Sequence, residues 1–299
     1  MTSARYRAFV AVARHGSLSA AARALHVSQP TVSAQIASLE QQSHLELFHR
    51  RGYRMNLSVA GEQLLPLAQK ILALEAEAEY FLRDAGQLNQ GTLHLGAVGP
   101  FHVIEMVAAY RQRHPGMKLS IRIGNSRQVL EDLVNYATDL GVLAGRHDND
   151  ALDALLYARH AIILFAHKDH FLARHRSVPL AMLEGVELLR REAGSTTQAT
   201  LDKALHDAGV RTECALEVGS RESLREAVAR GLGVGAVSEA EFIPDPRFRP
   251  IRIEGDPAIT STYIYFARER RESVLVRSFL QAQQKVLESA ASMMQSPLS

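Results

Sequence analysis

Gly194, Ser195, Thr196 and Thr197 stand directly before a stretch with helical spacing, Gln198–Ala208. Hydroxyls beside the unpaired N–H groups at the positive end of a helix make a cradle for a phosphate, phosphonate or carboxylate. A glycine there lets the backbone approach such a ligand closely. Ordinary helix capping by Ser and Thr would leave the same pattern. Gly99, Pro100, Phe101 and His102 follow one apolar run in a similar way, and Asn125, Ser126 and Arg127 follow another. Such entries, repeated within one part of the chain, point to a site for a small anion. Arg127 and Arg221 would add full charges.

A second set of residues suits a different polyanion. Pro30, Thr31, Ser33 and Ala34 lie off the apolar stripe Val32, Ile36 and Leu39, with Gln29 at the start of that helix and Gln35 within it. Gln, Ser and Thr hydrogen-bond base edges, and Gln pairs with adenine at two atoms. Arg50, Arg51 and Arg54 follow on what reads as two short strands around Gly52. An Arg-bearing hairpin beside a reading helix contacts phosphates or enters the minor groove. Charge supports this division. Residues 1–60 hold seven Arg, no Lys and only Glu40 and Glu46 as acids, whereas the whole chain is at +2. A basic head therefore sits on a mildly acidic body.

The elements that must position these residues are legible. Leu18, Ala21, Ala22 and Leu25 keep helical spacing, His26 and Val27 break it, and Ser28 caps a second helix with Pro30 in its first turn. A helix over Ala4–Ala13 covers both, giving an all-α, winged helix-turn-helix over residues 1–58. Residues 59–89 read as a long linker helix in which Leu64, Leu67, Ala68, Ile71, Leu72, Ala78 and Leu82 lie near one face and Pro66 is a kink site. Gln87–Gly91 reads as a hinge. From residue 90 to 299, apolar runs alternate with amphipathic stretches, an α/β pattern. Strands are expected at Leu93–Val98, Leu119–Ile123, Leu140–Ala144, Ala161–Ala166, Cys214–Val218, Gly233–Val237 and Thr262–Phe266. Helices are expected at Phe101–Arg113, Gln128–Tyr136, Gln198–Ala208, Arg221–Arg230 and Ser273–Glu288.

Several other chemistries are set aside. The 299 residues carry one cysteine, Cys214, which excludes an internal disulfide and reads as a small strand hydrophobe. His160, His167, His170 and His175 are close in sequence but have no Cys or tight carboxylate pair beside them, and read as loop histidines. The glycines from Gly231 to Gly235 do not form a dinucleotide fingerprint and read as a turn entering a strand. No nucleophile elbow, zinc-protease or P-loop motif occurs, so neither catalysis nor a cofactor is expected. No apolar run is long enough to span a membrane, and no cleavable leader is evident, so a cytoplasmic protein is expected.

The head resembles the DNA-binding region of LysR-type transcriptional regulators. Ala21-Ala22, Ser28-Gln29-Pro30-Thr31-Val32-Ser33, Gln35-Ile36, Leu39-Glu40, Leu47-Phe48, Arg50 and Ala60-Gly61 carry the likeness. Departures are Leu18 for the usual Phe, Ala34 where an Arg often reads DNA, Ser43-His44 for Leu-Gly, and Ser58 for Thr. The resemblance implies a linker helix paired with that of a second subunit and a dimer, assembling to a tetramer, on a near-palindromic operator in double-stranded DNA. It implies contact with RNA polymerase. It also implies an effector domain like a periplasmic binding protein, with subdomain I about 92–161 and 267–299 and subdomain II about 162–266. The chain would cross near Tyr157–Ile163 and return near Phe266, with the effector in the cleft. The stretch Leu189–Thr197, that from Val218 to Phe248 and the helix after Arg271 are further similar to a subgroup associated with aminoethylphosphonate catabolism. That narrower likeness implies a phosphonate on Ser195–Thr197, with Glu105, Glu222 or Glu239 facing its ammonium. Alternatives are a regulator answering to another small carboxylate or anion, or a cytoplasmic ligand-binding protein without specific DNA binding.

Overall fold

The structure is a computed structural model that describes residues 2–51, 54–84, 91–214 and 216–295. The head is built from α1 (Thr2–His15), α2 (Leu18–Leu25) and α3 (Gln29–Ser43). Both later starts are capped: Ser28 accepts from the Thr31 N–H, as the sequence predicts, and Ser17, which the sequence reading did not single out, accepts from the Ala20 N–H, each at 3.2 Å. Phe9, Val12, Ala21, Val32, Ile36, Leu47 and Phe48 close one core. Burying each large side chain in it contributes about 1.5–3 kcal/mol. The hairpin of β1 (Phe48–Arg51) and β2 (Arg54–Leu57) is antiparallel, with Arg50 opposite Met55 and Arg51 opposite Arg54. Gly52, read as its turn, lies outside the described residues.

His44 ends α3 in the left-handed region at φ 54°. That conformation costs a side chain what it does not cost glycine, which is why Gly is usual at this position. His44→Gly is expected to raise the stability of the head by about 1 kcal/mol, allowing for the greater entropy of the unfolded glycine chain. A higher urea midpoint at constant slope is the readout, and an unchanged midpoint refutes the argument.

The linker helix α4 (Val59–Asp84) runs through Pro66 as one continuous element, and the Ser58 hydroxyl accepts the Gly61 N–H at 3.0 Å. Its expected single apolar face is in fact two. Leu64, Leu65 and Ala68 pack on the head, while Leu67, Ile71, Leu74 and Leu82 are exposed. Gln87 to Gln90 of the expected hinge lie outside the described residues, and Gly91 already belongs to a strand.

The effector domain continues with β3 (Gly91–Ala97), α5 (Pro100–Arg113), β4 (Met117–Ile123), α6 (Ser126–Val134), β5 (Leu140–Ala144) and β6 (Leu152–His167). There follow β7 (Ser177–Val178), β8 (Arg190–Arg191), α7 (Thr196–Asp207), β9 (Glu217–Val218), α8 (Arg221–Ala229), β10 (Gly235–Ser238), β11 (Phe248–Ile253), β12 (Ile259–Ala267) and α9 (Val274–Gln295). The sheet runs β4-β3-β5-β12-β6-β11-β7, with β10 also on β6. The run expected at Ala161–Ala166 is the second half of the 16-residue β6. Residues Leu152–Ala161 of β6 pair with β12, and Ile162–His167 pair with β10 and β11. Two antiparallel strands thus carry the chain between the subdomains. Leu93, Leu95, Tyr110 and Phe279 fill one core, and Leu164, Leu201, Val234 and Ile251 fill the other.

Other expectations shift for local reasons. The Cys214–Val218 run shrinks to Glu217–Val218, and Cys214 is exposed outside any strand rather than a buried hydrophobe. Strand β11 was not expected, because Pro250 and the alternating Arg249 and Arg252 mask its apolar set Phe248, Ile251 and Ile253. Helix α6 ends before Tyr136, which turns into the left-handed region at φ 58°. His160 and His167 lie on β6, not in loops, while His170 and His175 flank a short 3-10 turn. No group of three potential ligands suited to a metal occurs among the described residues. No described helix is long and apolar enough to cross a membrane.

Candidate functional site

The polar face of α3 is open. Ser28, Gln29, Pro30 and Thr31 are exposed, Ser33 and Gln35 are half-buried, and Val32 and Ile36 are buried beneath them. The Glu40 carboxylate accepts the Leu47 N–H at 2.8 Å, which ties α3 to the hairpin. The seven Arg of the head divide into roles that sequence could not separate. Arg5 donates to Gln42 at 2.7 Å within the head, and Arg7 pairs with Glu75 of the linker helix at 3.1 Å, so both are already engaged within the chain. Arg23, Arg50 and Arg54 are exposed, with no acidic partner among the described residues. Such unpaired, exposed guanidiniums suit a phosphate backbone.

The second candidate lies between the subdomains. Ser195 caps α7, accepting from the Gln198 N–H at 3.4 Å, and Thr196 donates across the cleft to the Ala144 carbonyl at 3.4 Å. Arg221, at the start of α8, donates Nη1 to the Val98 carbonyl at 3.1 Å and reaches Glu241 with Nε at 2.9 Å. A Cβ on Gly99 would come within 3.3 Å of the Arg221 guanidinium, so the glycine leaves room for this crossing. Phe101, Thr197, Arg191, Arg221, Arg225 and Glu241 line a cavity of about 50 Å³. That is room for a few water molecules. This part of the cleft is therefore nearly filled.

The expected effector residues do not all meet. Phe101 and Thr197 line the cavity, and Gly99 stands against Arg221. Pro100 is exposed at the first position of α5. Ser126 and Gly194 instead line a separate open groove with His147. Helix α6 is capped by the Asn125 side chain, which accepts the Gln128 N–H at 2.9 Å. Arg127 is turned to Glu131 at 2.9 Å and is not in the cavity. Glu239 is taken by Arg252. Glu222 does line the cavity, and its own backbone N–H, together with Ser220, holds its carboxyl below the usual carboxylate range.

Sequence reasoning missed Arg191, Arg225 and Glu241. Arg191 is bound to Glu192 at 2.6 Å, and the buried Nε of Arg225 has no partner. A further unanticipated group lies where α5 meets β6. The His102 ring stacks on His160 at 5.2 Å and meets the Tyr157 edge at 5.7 Å. Burial, then the neighbouring His160, lowers the His102 pKa, and burial beside Glu105 pushes Tyr157 up to about 12.

Two family models match this architecture. "Bacterial regulatory helix-turn-helix protein, lysR family" matches residues 4–62, and "LysR substrate binding domain" matches residues 86–288. The chain belongs to the LysR family. It is a DNA-binding transcriptional regulator with a small-molecule effector domain, and its relatives are regulators, not enzymes. The LysR-type chain is 28% identical to the HTH-type transcriptional activator CmpR of Synechocystis sp., over 92% of each chain. It is 29% identical to the RuBisCO operon transcriptional regulator of Allochromatium vinosum, over 96% of each. In fold it resembles full-length CbnR complexed with its target DNA, with TM-score 0.70 and 22% identity over 95% of this chain and 99% of that one. It also resembles the Synechocystis PCC6803 CcmR regulatory domain in complex with 2-PG, with TM-score 0.60 and 23% identity over 66% and 97%. The names of these relatives lend no support to the aminoethylphosphonate subgroup.

Proposed function

We propose that this LysR-type regulator responds to a small anion held between its two subdomains. The observation that carries this reading is the convergence of Arg191, Arg221 and Arg225 on one cavity beside the N-terminus of α7. Arg191 is paired with Glu192 and Arg221 with Glu241, so the Arg225 guanidinium and the free N–H groups of the helix end are what is left to meet an anion. Gly99, Pro100, Phe101, Ser195, Thr196 and Thr197 form the near part of the proposed site, and Ser126 and Gly194, in the separate open groove, would join it only when the subdomains move. The relative bound to 2-PG supports a small anion as the class, and 2-PG is the first compound to test, with 2-aminoethylphosphonate beside it. An anion larger than the present cavity must part the Arg221–Val98 and Thr196–Ala144 contacts. Its differential affinity for the parted cleft is then what shifts the population of shapes.

Ser28, Gln29, Pro30, Thr31, Ser33 and Gln35 read base edges in this proposal, and Arg50, Arg51 and Arg54 hold the backbone. The exposed stripe Leu67, Ile71, Leu74 and Leu82 pairs with the same helix of a second copy. The dimer assembles to a tetramer on a near-palindromic operator and touches RNA polymerase in the cytoplasm. Residues 1–58, 59–89 and 90–299 are the working units. The test is fluorescence anisotropy on DNA from the gene's own upstream region against scrambled DNA, with and without each anion. Specific binding shifted by an anion is expected. No preference for upstream DNA refutes the regulator reading, and no shift with either compound refutes this effector class.

Replacing Ser195 and Thr196 together by Ala removes the cap and the hydroxyl that reaches Ala144. Capping alone is worth about 1 kcal/mol. The expected result is a weaker effector-induced shift with unchanged DNA affinity in its absence. Loss of DNA binding in this variant would make the segment structural instead.

A further inference from the structure

The linker helix meets the effector domain through a small polar contact. Lys70 of α4 donates Nζ to Glu269 at 2.6 Å, across 199 residues of chain. The same ammonium lies over the Tyr136 ring, 5.3 Å from its centre. The Arg270 guanidinium lies over that ring as well, at 5.9 Å. Beside this contact the fit is loose. A half-open space of about 610 Å³ separates Leu72, Ala73 and Ala76 of α4 from Asp139 and Leu275 of the effector domain. The orientation of α4 there depends on the polar contact more than on interlocking side chains.

The effector side of the contact is firmly held. The buried Arg270 pairs with Asp139 at 2.7 Å, and Asp139 also accepts the His94 N–H of β3 at 2.7 Å. Tyr136 stands at φ 58°, a left-handed conformation that a bulky side chain rarely adopts and that glycine would hold without strain. Such an outlier points to a use for the side chain, and the two cations over the ring supply one. The linker side is more open. The Lys70 and Glu269 side chains are 40% and 56% exposed. An ion pair that open is weak by itself, and the ring beside the ammonium strengthens it. Such a contact selects one arrangement and can still be released.

Both parts of the socket continue from elements that reach the space between the subdomains. Tyr136 follows α6, whose first residue, Ser126, lines the outer groove with Gly194. Glu269 is the second residue after β12, one of the two crossing strands. On α4, Lys70 lies one turn from Leu67 and Leu74 of the exposed stripe, so the contact also sets which way that stripe faces.

We propose that Lys70, Glu269 and the Tyr136 ring form a latch that fixes the linker helix on the effector domain, and that movement of the subdomains releases it. Closed, the latch holds the head at one angle to the effector domain. Open, it frees the head for other arrangements, and whatever favours one state shifts the population. Release by an anion rests on the effector reading above, whereas the latch itself does not.

The test uses the full-length protein with Lys70→Glu, Glu269→Lys and the two together, which swaps the charges. The amides of Tyr136, Ala137, Arg268 and Arg271 are hydrogen-bonded, so their hydrogen exchange reports local opening. Each single variant is expected to speed exchange there about fivefold, and the swap to restore most of the protection. Tyr136→Leu keeps apolar bulk, removes the ring and is expected to speed exchange at Arg268 and Arg271 about threefold. Anisotropy on DNA from the gene's own upstream region reads the consequence for the head. Without any anion, each single variant is expected to change affinity about threefold or more, and the swap to recover it. Exchange that neither single variant alters, or that the swap does not restore at all, overturns the latch. Unchanged exchange in Tyr136→Leu removes the ring from it. Altered exchange with one DNA affinity in all of these proteins overturns its control of the head. An unmodified protein that ignores both 2-PG and 2-aminoethylphosphonate refutes the effector reading alone, because exchange and anion-free DNA affinity still decide the latch.

Discussion

Replacing Arg50 and Arg54 together by Ala is expected to lower affinity for operator DNA about 30-fold near physiological salt. Each phosphate contact releases counterions and contributes about 0.9 to the slope of log affinity against log salt. At about 0.15 M salt, one lost contact therefore costs a factor of roughly five to six, and two multiply. The slope itself is expected to fall by about two. These two residues are chosen because both are exposed and neither is used internally, whereas Arg7 is already committed to Glu75. Binding isotherms at several salt concentrations read both numbers. Effector binding by residues 91–295 is expected to be untouched. An unchanged slope removes the hairpin from the DNA interface.

The second large effect is expected from Arg221→Met. The Arg221 side chain is 25% exposed and its partner Glu241 is 12% exposed, so the pair is more buried than a surface ion pair. Removing the cation leaves a mostly buried carboxylate without its donor. Breaking a fully buried pair costs about 3–5 kcal/mol, and the partial exposure here brings the expectation to about 2–3. Adding Glu241→Gln removes the orphaned charge and is expected to recover most of the loss, a coupling that a double-mutant cycle reads directly. The same guanidinium bridges to the Val98 carbonyl of the other subdomain. Arg221→Met is therefore also expected to abolish most of the effector-induced change in DNA binding. The unfolding transition of the effector domain, followed separately from that of the head, gives the first readout. Anisotropy with and without anion gives the second. Full stability together with a full effector response would show that the bridge is incidental.

The head was legible almost residue by residue. Its signals are local: Ser28 caps within three residues, Pro30 sits where a missing N–H is harmless, and Val32 and Ile36 keep a helical period. The crossing strand was legible in place but not in length, because β6 changes partners midway without any break in its own sequence. The helix starts expected at Phe101, Gln128 and Gln198 fall within two residues of those observed at Pro100, Ser126 and Thr196, since the signals of a helix start lie in neighbouring residues.

Composition and spacing by themselves thus determined a basic reading head, a long linker helix and an α/β domain with anion-suited helix ends. Tertiary structure decided which of those ends share a cavity. It placed Arg221 against a carbonyl 123 residues away, spent Arg127 on Glu131 in solvent, and assembled Arg191, Arg225 and Glu241 around one space. It also divided one apolar face of α4 between the head and solvent. Capping and periodicity act over one turn of chain, so a sequence displays them directly. Ion-pair partners and cavity walls depend on which distant segments pack together, and only the folded chain brings those segments into contact.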